Sequence, residues 1–175
     1  VGLTVGALAA TGCGDNASVT SAHKYDDGTP QYRQTVTDSY RQLQFKVSIY
    51  GELPPEGAGI RLGIYQAEAD CGDGASEKNV ERMEEAVQIA KAYNVQLLTF
   101  PELYVPGYTL SPDEAKQVAE FKDGPSITRA REVAAENNMA LVLPYAEKAE
   151  DEQGNMYYYD SIAVISETGE LLDSY

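Results

Sequence analysis

The chain has 175 residues, enough to bury a substantial hydrophobic core, and a formal net charge of −15. No basic stripe is present to neutralise phosphate groups, so the composition argues against nucleic acid as a partner. The same acidic balance argues against electrostatic binding to anionic lipid, and its simplest consequence is solubility.

The first element in the chain is an uncharged run of small and apolar residues, VGLTVGALAATGC. It is shorter than the roughly 20 residues of a transmembrane helix and matches the apolar region of a secretory signal, roughly 7–15 residues. Its ATGC ending resembles a bacterial lipobox with Cys13 as the lipidated residue, although Ala10 stands where leucine is usual. We therefore expect residues 1–13 to be a signal remnant of an exported, periplasmic or cell-surface protein, with an ordinary apolar terminus as the alternative.

The only two cysteines are Cys13 and Cys71, and in an exported protein they could form a disulfide. If Cys13 carries lipid it cannot pair, so we favour a free Cys71. No zinc-binding spacing is present, and the single histidine, His23, lies in a polar segment where a solvated side chain is typical. We expect neither a metal nor a cofactor.

Residues 14–58 are polar and rich in turn-forming residues, which predicts a tether. Within this segment QFKVSIY alternates Phe45, Val47 and Ile49 with polar neighbours, which indicates one half-buried strand. The prolines and glycines of GELPPEGAG then predict a domain boundary near residue 58, and a folded domain over residues 59–175.

The folded domain begins with a predicted β-α-β unit. IRLGIYQAE and VQLLTF have the length and apolar content of strands, and residues 76–94 lie between them as a helix. Ser76 is the predicted cap of this helix, and Asn94 is expected to end it in the left-handed region. The apolar stripe of the helix recurs at three- and four-residue steps: Val80, Met83, Val87 and Ala90.

Two further helices are predicted next. Ser111 and Glu114 form a capping box for SPDEAKQVAEF, with Pro112 at its first position. GPSITRAREVAAENN forms the third helix. Its apolar face comprises Ile127, Ala130 and Ala134.

Three strands complete the predicted domain. MALVLPYAE is a strand that Pro144 is expected to end or to bulge. Residues 156–175 read as a hairpin with its turn near Thr168 and Gly169. The predicted order is β-α-β-α-α-β-β-β, an α/β fold.

The stretch LLTFPELYVPGY places a carboxylate, Glu102, directly after the second strand of the domain. Functional groups of α/β folds collect at the carboxyl ends of strands, where loops open into a crevice. Pro101 cannot donate to a sheet ladder and Gly107 permits a sharp turn, so the loop is expected to aim Glu102 at a cleft. Burial there would raise its pKa from about 4.3 toward about 6–7, the working range of a general base. The alternative is that Glu102 caps a helix or forms an ion pair at the surface.

Over about residues 59–175 the chain resembles the nitrilase superfamily of carbon–nitrogen hydrolases. The resemblance is carried by IRLGIYQAE, Asn79 in the first helix, the F-P-E-x-x-x-x-G-Y element, and the later MALVLPYAEK, YYYDSIAVIS and GELLDSY. Asp160 departs from the pattern, since many relatives have asparagine there. The resemblance implies a partial α-β-β-α sandwich, a homodimer when complete, and a small amide, nitrile or carbamoyl substrate.

The resemblance also implies a Glu-Lys-Cys catalytic set, with Glu102 as the general base. The lysine and the cysteine are expected beyond Tyr175, so we interpret the chain as the amino-terminal part of a hydrolase that is inactive alone. Cys71 has an acidic neighbour, which opposes thiolate formation, and Lys148 lies among acidic residues, so neither is a good substitute.

Tyr104 and Tyr108 flank the Glu102 loop and are the candidate substrate-binding residues, with ordinary aromatic packing as the alternative. An exported, lipid-anchored amide or nitrile hydrolase is the favoured hypothesis. A non-catalytic binding lipoprotein with the same sandwich, and an acidic interaction module unrelated to hydrolases, are the competing ones.

Overall fold

The structure is a computed structural model that describes residues 4–10, 23–24, 30–31, 33–40, 43–50 and 55–175. Its elements in chain order are β1 (Thr4–Ala10), β2 (His23–Lys24), β3 (Pro30–Gln31), β4 (Arg33–Tyr40), β5 (Leu43–Tyr50), β6 (Arg61–Gln66), α1 (Ala75–Ala92), β7 (Leu97–Thr99), α2 (Pro112–Val118), α3 (Pro125–Asn137), β8 (Ala140–Glu150), β9 (Met156–Ile165) and β10 (Leu171–Ser174). From β6 onward this is the predicted order β-α-β-α-α-β-β-β.

Eight of these strands form one mixed sheet in the order β10-β9-β8-β7-β6-β1-β5-β4. The four central strands, β8, β7, β6 and β1, run parallel to one another. The flanking strands on both sides are antiparallel. Because β7 lies between β6 and β8, the residues that follow β7 emerge in the middle of the edge formed by the carboxyl ends of the parallel strands.

Helices α1 and α3 provide the apolar layer that covers one face of the sheet. Side chains of a strand alternate between faces, so Leu98, Leu141 and Leu143 face the helices and are fully buried. The intervening residues Thr99 and Val142 are only half-buried, because they point to the opposite face. The predicted stripes are confirmed: Met83 and Val87 of α1, with Ile127, Ala130 and Ala134 of α3, all lie in the core.

Local signals at helix and strand ends are largely confirmed. Ser111 and Glu114 form the complete capping box at the start of α2, with the Ser111 hydroxyl accepting from the Glu114 amide at 3.3 Å. Asn94 adopts a left-handed conformation with φ 57° just after α1. The hairpin turn between β9 and β10 contains Gly169 with φ 81°. Each of these features depends on contacts within a few residues, which is why sequence predicts them well.

Two local predictions are wrong. Helix α1 begins at Ala75 with Gly74 as its left-handed N-cap, and it has no side-chain capping hydrogen bond, so Ser76 is inside the helix. Pro144 does not end its strand, since β8 continues to Glu150.

The sheet tolerates Pro144 because of its register. Pro144 pairs with Ile162, whose amide and carbonyl bond to Tyr175 on the far side, so this β8–β9 pair is of the non-hydrogen-bonded kind. The backbone nitrogen of Pro144, which carries no hydrogen, therefore faces the space beyond the end of β7, where the sheet needs no donor. The Pro144 carbonyl accepts a hydrogen bond from the Val105 amide at 3.2 Å.

The amino-terminal residues add strands that the sequence did not predict. The predicted strand with Phe45 and Val47 buried is confirmed as β5. Strand β5 forms a hairpin with β4. Strand β1 belongs to the predicted signal remnant, and it pairs with β5 on one side and with β6 on the other. Cys13, the predicted lipidation residue, lies outside the described residues, so the anchor and the predicted domain limits stay predictions. None of the helices in the described part of the chain combines the length and apolar character needed to cross a bilayer.

Candidate active site

The loop that carries Glu102 follows β7 and is fastened to β8. The Phe100 amide donates to the carbonyl of Val142 at 3.1 Å, and the Val105 amide donates to that of Pro144 at 3.2 Å. Glu102 lies between these two fastening points, so its backbone is held at the carboxyl end of the central strand. This is the position that the sequence predicted for it.

The backbone of this loop is strained next to Glu102. Leu103 adopts φ 48°, the left-handed region that a side chain with a Cβ disfavours by about 1–2 kcal/mol. Four residues later Gly107 has φ 84°, and a Cβ added there would lie 2.3 Å from the carbonyl oxygen of Asp70. Glycine is therefore required at this close approach between two loops. Strain of this kind persists only where the surrounding structure determines the conformation, and it concentrates at functional sites.

Asn79 of α1 joins the two loops. Its side chain is fully buried, and its Oδ1 accepts from the Asp70 amide at 2.8 Å. Its Nδ2 donates to the carbonyls of Asp70 at 2.9 Å and of Val105 at 3.1 Å. One amide group thus fixes the loop after β6 to the loop after β7. Asp70 is also held from outside by an ion pair with Arg82 at 3.0 Å.

A cluster of aromatic rings lies inside the loop. Tyr104 contacts Phe100 with ring centroids 4.9 Å apart and meets Tyr65 edge-on at 5.5 Å, and Tyr65 in turn contacts Phe45 at 6.4 Å. Tyr104 is 1% exposed and lines neither cavity described below, so its predicted contact with substrate is corrected to core packing. The reason is the left-handed turn at Leu103, which brings the next side chain into the core.

Glu102 lines a cavity of about 390 Å³ on the sheet face opposite the helices. The cavity wall is mostly apolar and contains a second carboxyl group, that of Asp160 on β9. Its lining residues are Thr99, Phe100, Glu102, Val142, Pro144, Asp160, Ile162 and Tyr175. The arrangement is a carboxyl pair at the mouth of an apolar cleft.

The pKa of the Glu102 carboxyl is raised above its ordinary value, although the side chain is exposed. The largest cause is a hydrogen bond with Asp160, followed by desolvation and by the negative charge of Asp160. The predicted direction is therefore found, but the predicted cause, burial, is secondary to a neighbouring carboxyl that the sequence did not pair with Glu102. A carboxyl group that ionises nearer neutral pH is suited to general acid–base catalysis.

A second cavity of about 300 Å³ adjoins the first, and Asp160 lines both. Its wall includes Tyr108, which is 65% exposed, together with Tyr158 and Tyr159. Of the two tyrosines predicted to bind substrate, Tyr108 is thus the one with a side chain available to a ligand.

Glu147 on β8 also lines the second cavity and was missed by the sequence analysis. It is 5% exposed, and its Oε2 accepts hydrogen bonds from the hydroxyls of Tyr145 at 2.9 Å and Ser174 at 2.5 Å. Burial alone raises its pKa, but hydrogen bonds from Ser174, Tyr145 and Ser161 outweigh burial and lower the pKa below its ordinary value. Glu147 lies two residues after Tyr145 on the apolar strand β8, so both side chains point to the same face. That spacing was the signal in the sequence that Glu147 could be buried.

Replacing Glu147 with glutamine should flatten the acid side of the stability curve. Because the folded-state pKa is lowered, the carboxylate stabilises the protein above the unfolded pKa, and this contribution is lost as pH falls through the folded pKa. At neutral pH we expect Glu147→Gln to cost about 1–3 kcal/mol, because the amide replaces an acceptor of two hydroxyl donors. Urea unfolding between pH 3 and pH 7 measures both effects. Wild-type pH dependence in the variant would contradict the first effect, and wild-type stability at pH 7 would contradict the second.

Cys71 and Lys148, the possible substitutes for the catalytic cysteine and lysine, do not line the Glu102 cavity. Cys71 is free and exposed, and its thiol faces the carbonyl of Ala69 at 3.7 Å. The Lys148 ammonium lies over the ring of Phe121, 5.0 Å from the centroid. Neither residue lines the cavity with Glu102.

Comparison with known proteins defines the class. Residues 61–175 match the carbon-nitrogen hydrolase family, and the chain belongs to that family. It is 28% identical over 116 residues to the "Hydrolase in pqqF 5'region" of Pseudomonas protegens, covering 66% of this chain and 38% of that protein. It is also 28% identical over 126 residues to a nitrilase of Meyerozyma guilliermondii, again covering 66% of this chain and 38% of the relative. The chain thus spans less than two fifths of the length of these relatives.

Solved structures agree with this assignment. An amidase from Nesterenkonia sp. is 27% identical, with a TM-score of 0.50 over 65% of this chain and 41% of the amidase. A double mutant of the amidase from Nesterenkonia sp. AN1 in complex with acrylamide is 24% identical, with a TM-score of 0.52 over 71% of this chain and 45% of that one. The second likeness shows the fold alone. The mixed α/β fold predicted from the sequence is that of these neighbours.

Proposed function

We propose that the whole protein hydrolyses carbon–nitrogen bonds other than peptide bonds in a small amide, nitrile or carbamoyl compound, with Glu102 as its general base. The observation that carries the proposal is the placement of Glu102: a strained, doubly fastened loop holds it at the carboxyl end of the central parallel strand, lining an apolar cleft. Family membership supports the reaction class. The nucleophilic cysteine and the oxyanion-stabilising lysine would come from outside these 175 residues.

In the proposed cycle for an amide substrate, Glu102 carries out each proton transfer. The ionised Glu102 takes the thiol proton, and the thiolate attacks the amide carbon to form a tetrahedral oxyanion, which the lysine stabilises. Glu102 then gives its proton to the leaving nitrogen, the carbon–nitrogen bond breaks, and an amine or ammonia departs from a thioester. In the second half Glu102 takes a proton from water, and the hydroxide attacks the thioester. The carbon–sulfur bond then breaks, the acid departs, and Glu102 returns its proton to the thiolate, which restores the thiol.

The remaining functional assignments are also proposals. Tyr108 would contact the substrate, supported by its exposed side chain in the cavity next to Glu102. Dimerisation of the complete protein rests on the family resemblance. Export to the periplasm or cell surface, with a lipid on Cys13, rests on the amino-terminal sequence alone.

The test is capture of the covalent intermediate on the complete gene product. Incubation with an amide substrate, followed by acid quenching and intact-mass measurement, should show one acyl adduct together with ammonia release. Cys71→Ser is the matched control and should retain the adduct, because Cys71 does not line the Glu102 cavity. Loss of the adduct in that variant would make Cys71 the nucleophile. Binding of amides with neither adduct nor ammonia would favour a non-catalytic binding protein.

A further inference from the structure

The second cavity, which Tyr108 lines, continues the cavity that Glu102 lines. Asp160 belongs to the walls of both cavities. The walls also meet along the chain, because Leu103 lines the second cavity and directly follows Glu102. A molecule whose reacting group lies beside Glu102 can therefore extend past Leu103 into the second cavity.

Helix α2 forms one side of the second cavity and offers it an apolar surface. Pro112 and Ala115 of this helix line the cavity, and no residue of α2 is buried. The carboxyl end of the helix is nevertheless fixed to β8. There the Glu120 amide donates to the Ala146 carbonyl at 2.9 Å, and the Glu120 carbonyl accepts from the Lys148 amide at 2.8 Å. A helix that is held in place without burying its apolar side chains leaves that surface available to a ligand.

Two polar side chains of the second cavity already have hydrogen-bond partners within the protein. The Ser111 hydroxyl donates to the Glu114 carboxylate at 2.6 Å and accepts from the Glu114 amide at 3.3 Å. The Glu147 carboxylate accepts from the hydroxyls of Tyr145 and Ser174. Because these groups are engaged, they contribute little to binding a polar ligand, and the cavity favours an apolar one.

Three tyrosine rings give the second cavity its aromatic character. The exposed fractions are 65% for Tyr108, 42% for Tyr158 and 50% for Tyr159, so each ring has surface available for contact. Aromatic rings prefer offset or edge-on contacts with other rings, which stabilise the pair beyond the area that is buried. A cavity of about 150 Å³ is enough to hold benzene. The second cavity, at about 300 Å³, has room for one ring and a short linker.

We propose that the second cavity is the subsite for the acyl part of the substrate and that it binds an aromatic ring there. This inference rests on the proposed function and narrows its substrates to amides or nitriles of aryl-substituted carboxylic acids. The ring lies on the acyl side because the leaving nitrogen must be within reach of Glu102, which protonates it. In a primary amide or a nitrile, that nitrogen carries no other substituent that could occupy the second cavity.

Kinetics of the complete protein on a matched set of primary amides test this subsite. Acetamide is compared with phenylacetamide, phenylpropanamide and phenylbutanamide, which carry the ring on linkers of increasing length. The best aryl amide should have a kcat/KM about 10–100-fold above that of acetamide, the gain expected when one ring is removed from water. Tyr108→Ala and Tyr159→Ala should each reduce this ratio by about 3–10-fold. Tyr108→Phe keeps the ring and should preserve the ratio.

Tyr157→Ala is the matched control. Tyr157 is a similarly exposed tyrosine of β9 that lines neither cavity, so its replacement should leave the ratio unchanged. Hydrolysis of acetamide without a preference for any aryl amide would overturn the subsite and leave the proposed function standing. An equal fall of the ratio in Tyr157→Ala and Tyr108→Ala would also overturn the subsite.

Calorimetric binding of the same aryl amides separates the subsite from the reaction. If the wild-type protein hydrolyses no amide or nitrile, the proposed function fails. The subsite then stands if Tyr108→Ala binds the aryl amides more weakly than Tyr157→Ala does. Equal binding by these two variants would overturn the subsite as well.

Discussion

Replacement of Glu102 by glutamine should reduce hydrolysis by the complete protein by about 10²–10⁴-fold, the usual contribution of a positioned general base. Glutamine has nearly the same shape and can still hydrogen-bond to Asp160, but it cannot accept the proton of a thiol or of water. The side chain is exposed, and its hydrogen bond with Asp160 joins two acidic groups, so the melting temperature should hardly change. Steady-state release of ammonia and a thermal unfolding curve measure the two effects.

Glu152→Gln is the matched control for this experiment. It removes the same carboxylate from the exposed turn between β8 and β9, and Glu152 lines neither cavity. It should therefore retain the wild-type rate. If Glu102→Gln also hydrolysed substrate at that rate, Glu102 could not be the base, and its strained loop would need another explanation.

Replacement of Asn79 by alanine should produce the largest loss of stability among polar substitutions near the site, about 2–4 kcal/mol. The substitution removes three hydrogen bonds and leaves the buried carbonyl of Val105 and both backbone groups of Asp70 without that partner. Each buried polar group left without a partner costs about 1–3 kcal/mol. Asp70 is half-exposed, so water can replace some of the hydrogen bonds that its backbone loses. Urea unfolding should show a lower midpoint with an unchanged slope.

The same substitution should also lower the activity of the complete protein, because Asn79 holds the Glu102 loop through Val105. Asn155→Ala is the control, since Asn155 lies in an exposed turn and, within the described part of the chain, its side chain hydrogen-bonds to Asp151 alone. It should cost less than about 1 kcal/mol and leave activity unchanged. Equal stability of the Asn79 and Asn155 variants would show that the loops are held together mainly by apolar packing.

Sequence reasoning located Glu102 correctly because the signals around it are local. An apolar run, a proline that stops pairing and a glycine that permits a turn all act within a few residues of the carboxylate. It failed for Tyr104 for a different reason. Whether a side chain after the turn points into the cleft or into the core depends on the conformation of Leu103, and leucine has no intrinsic preference for φ 48°.

The pairing of Glu102 with Asp160 shows the limit of such reasoning most clearly. The two residues are separated in sequence by two helices and a strand, and they meet only because β8 carries both the Glu102 loop and β9. The same register explains why Pro144 does not interrupt β8. Sheet register depends on pairing between distant segments, and periodicity within one strand does not specify it.

The amino-acid sequence by itself determined the order of helices and strands from residue 61 onward, the capping box of α2, and the exit of a carboxylate from a buried strand. These features follow from periodicity, helix-capping chemistry and the backbone limits of proline and glycine. The tertiary structure alone decided which groups surround that carboxylate: Asp160 beside it, Asn79 beneath its loop, and Tyr104 in the core rather than in the cleft. The physical reason is that the neighbours of a side chain across a sheet are set by long-range pairing and packing, which no local segment encodes.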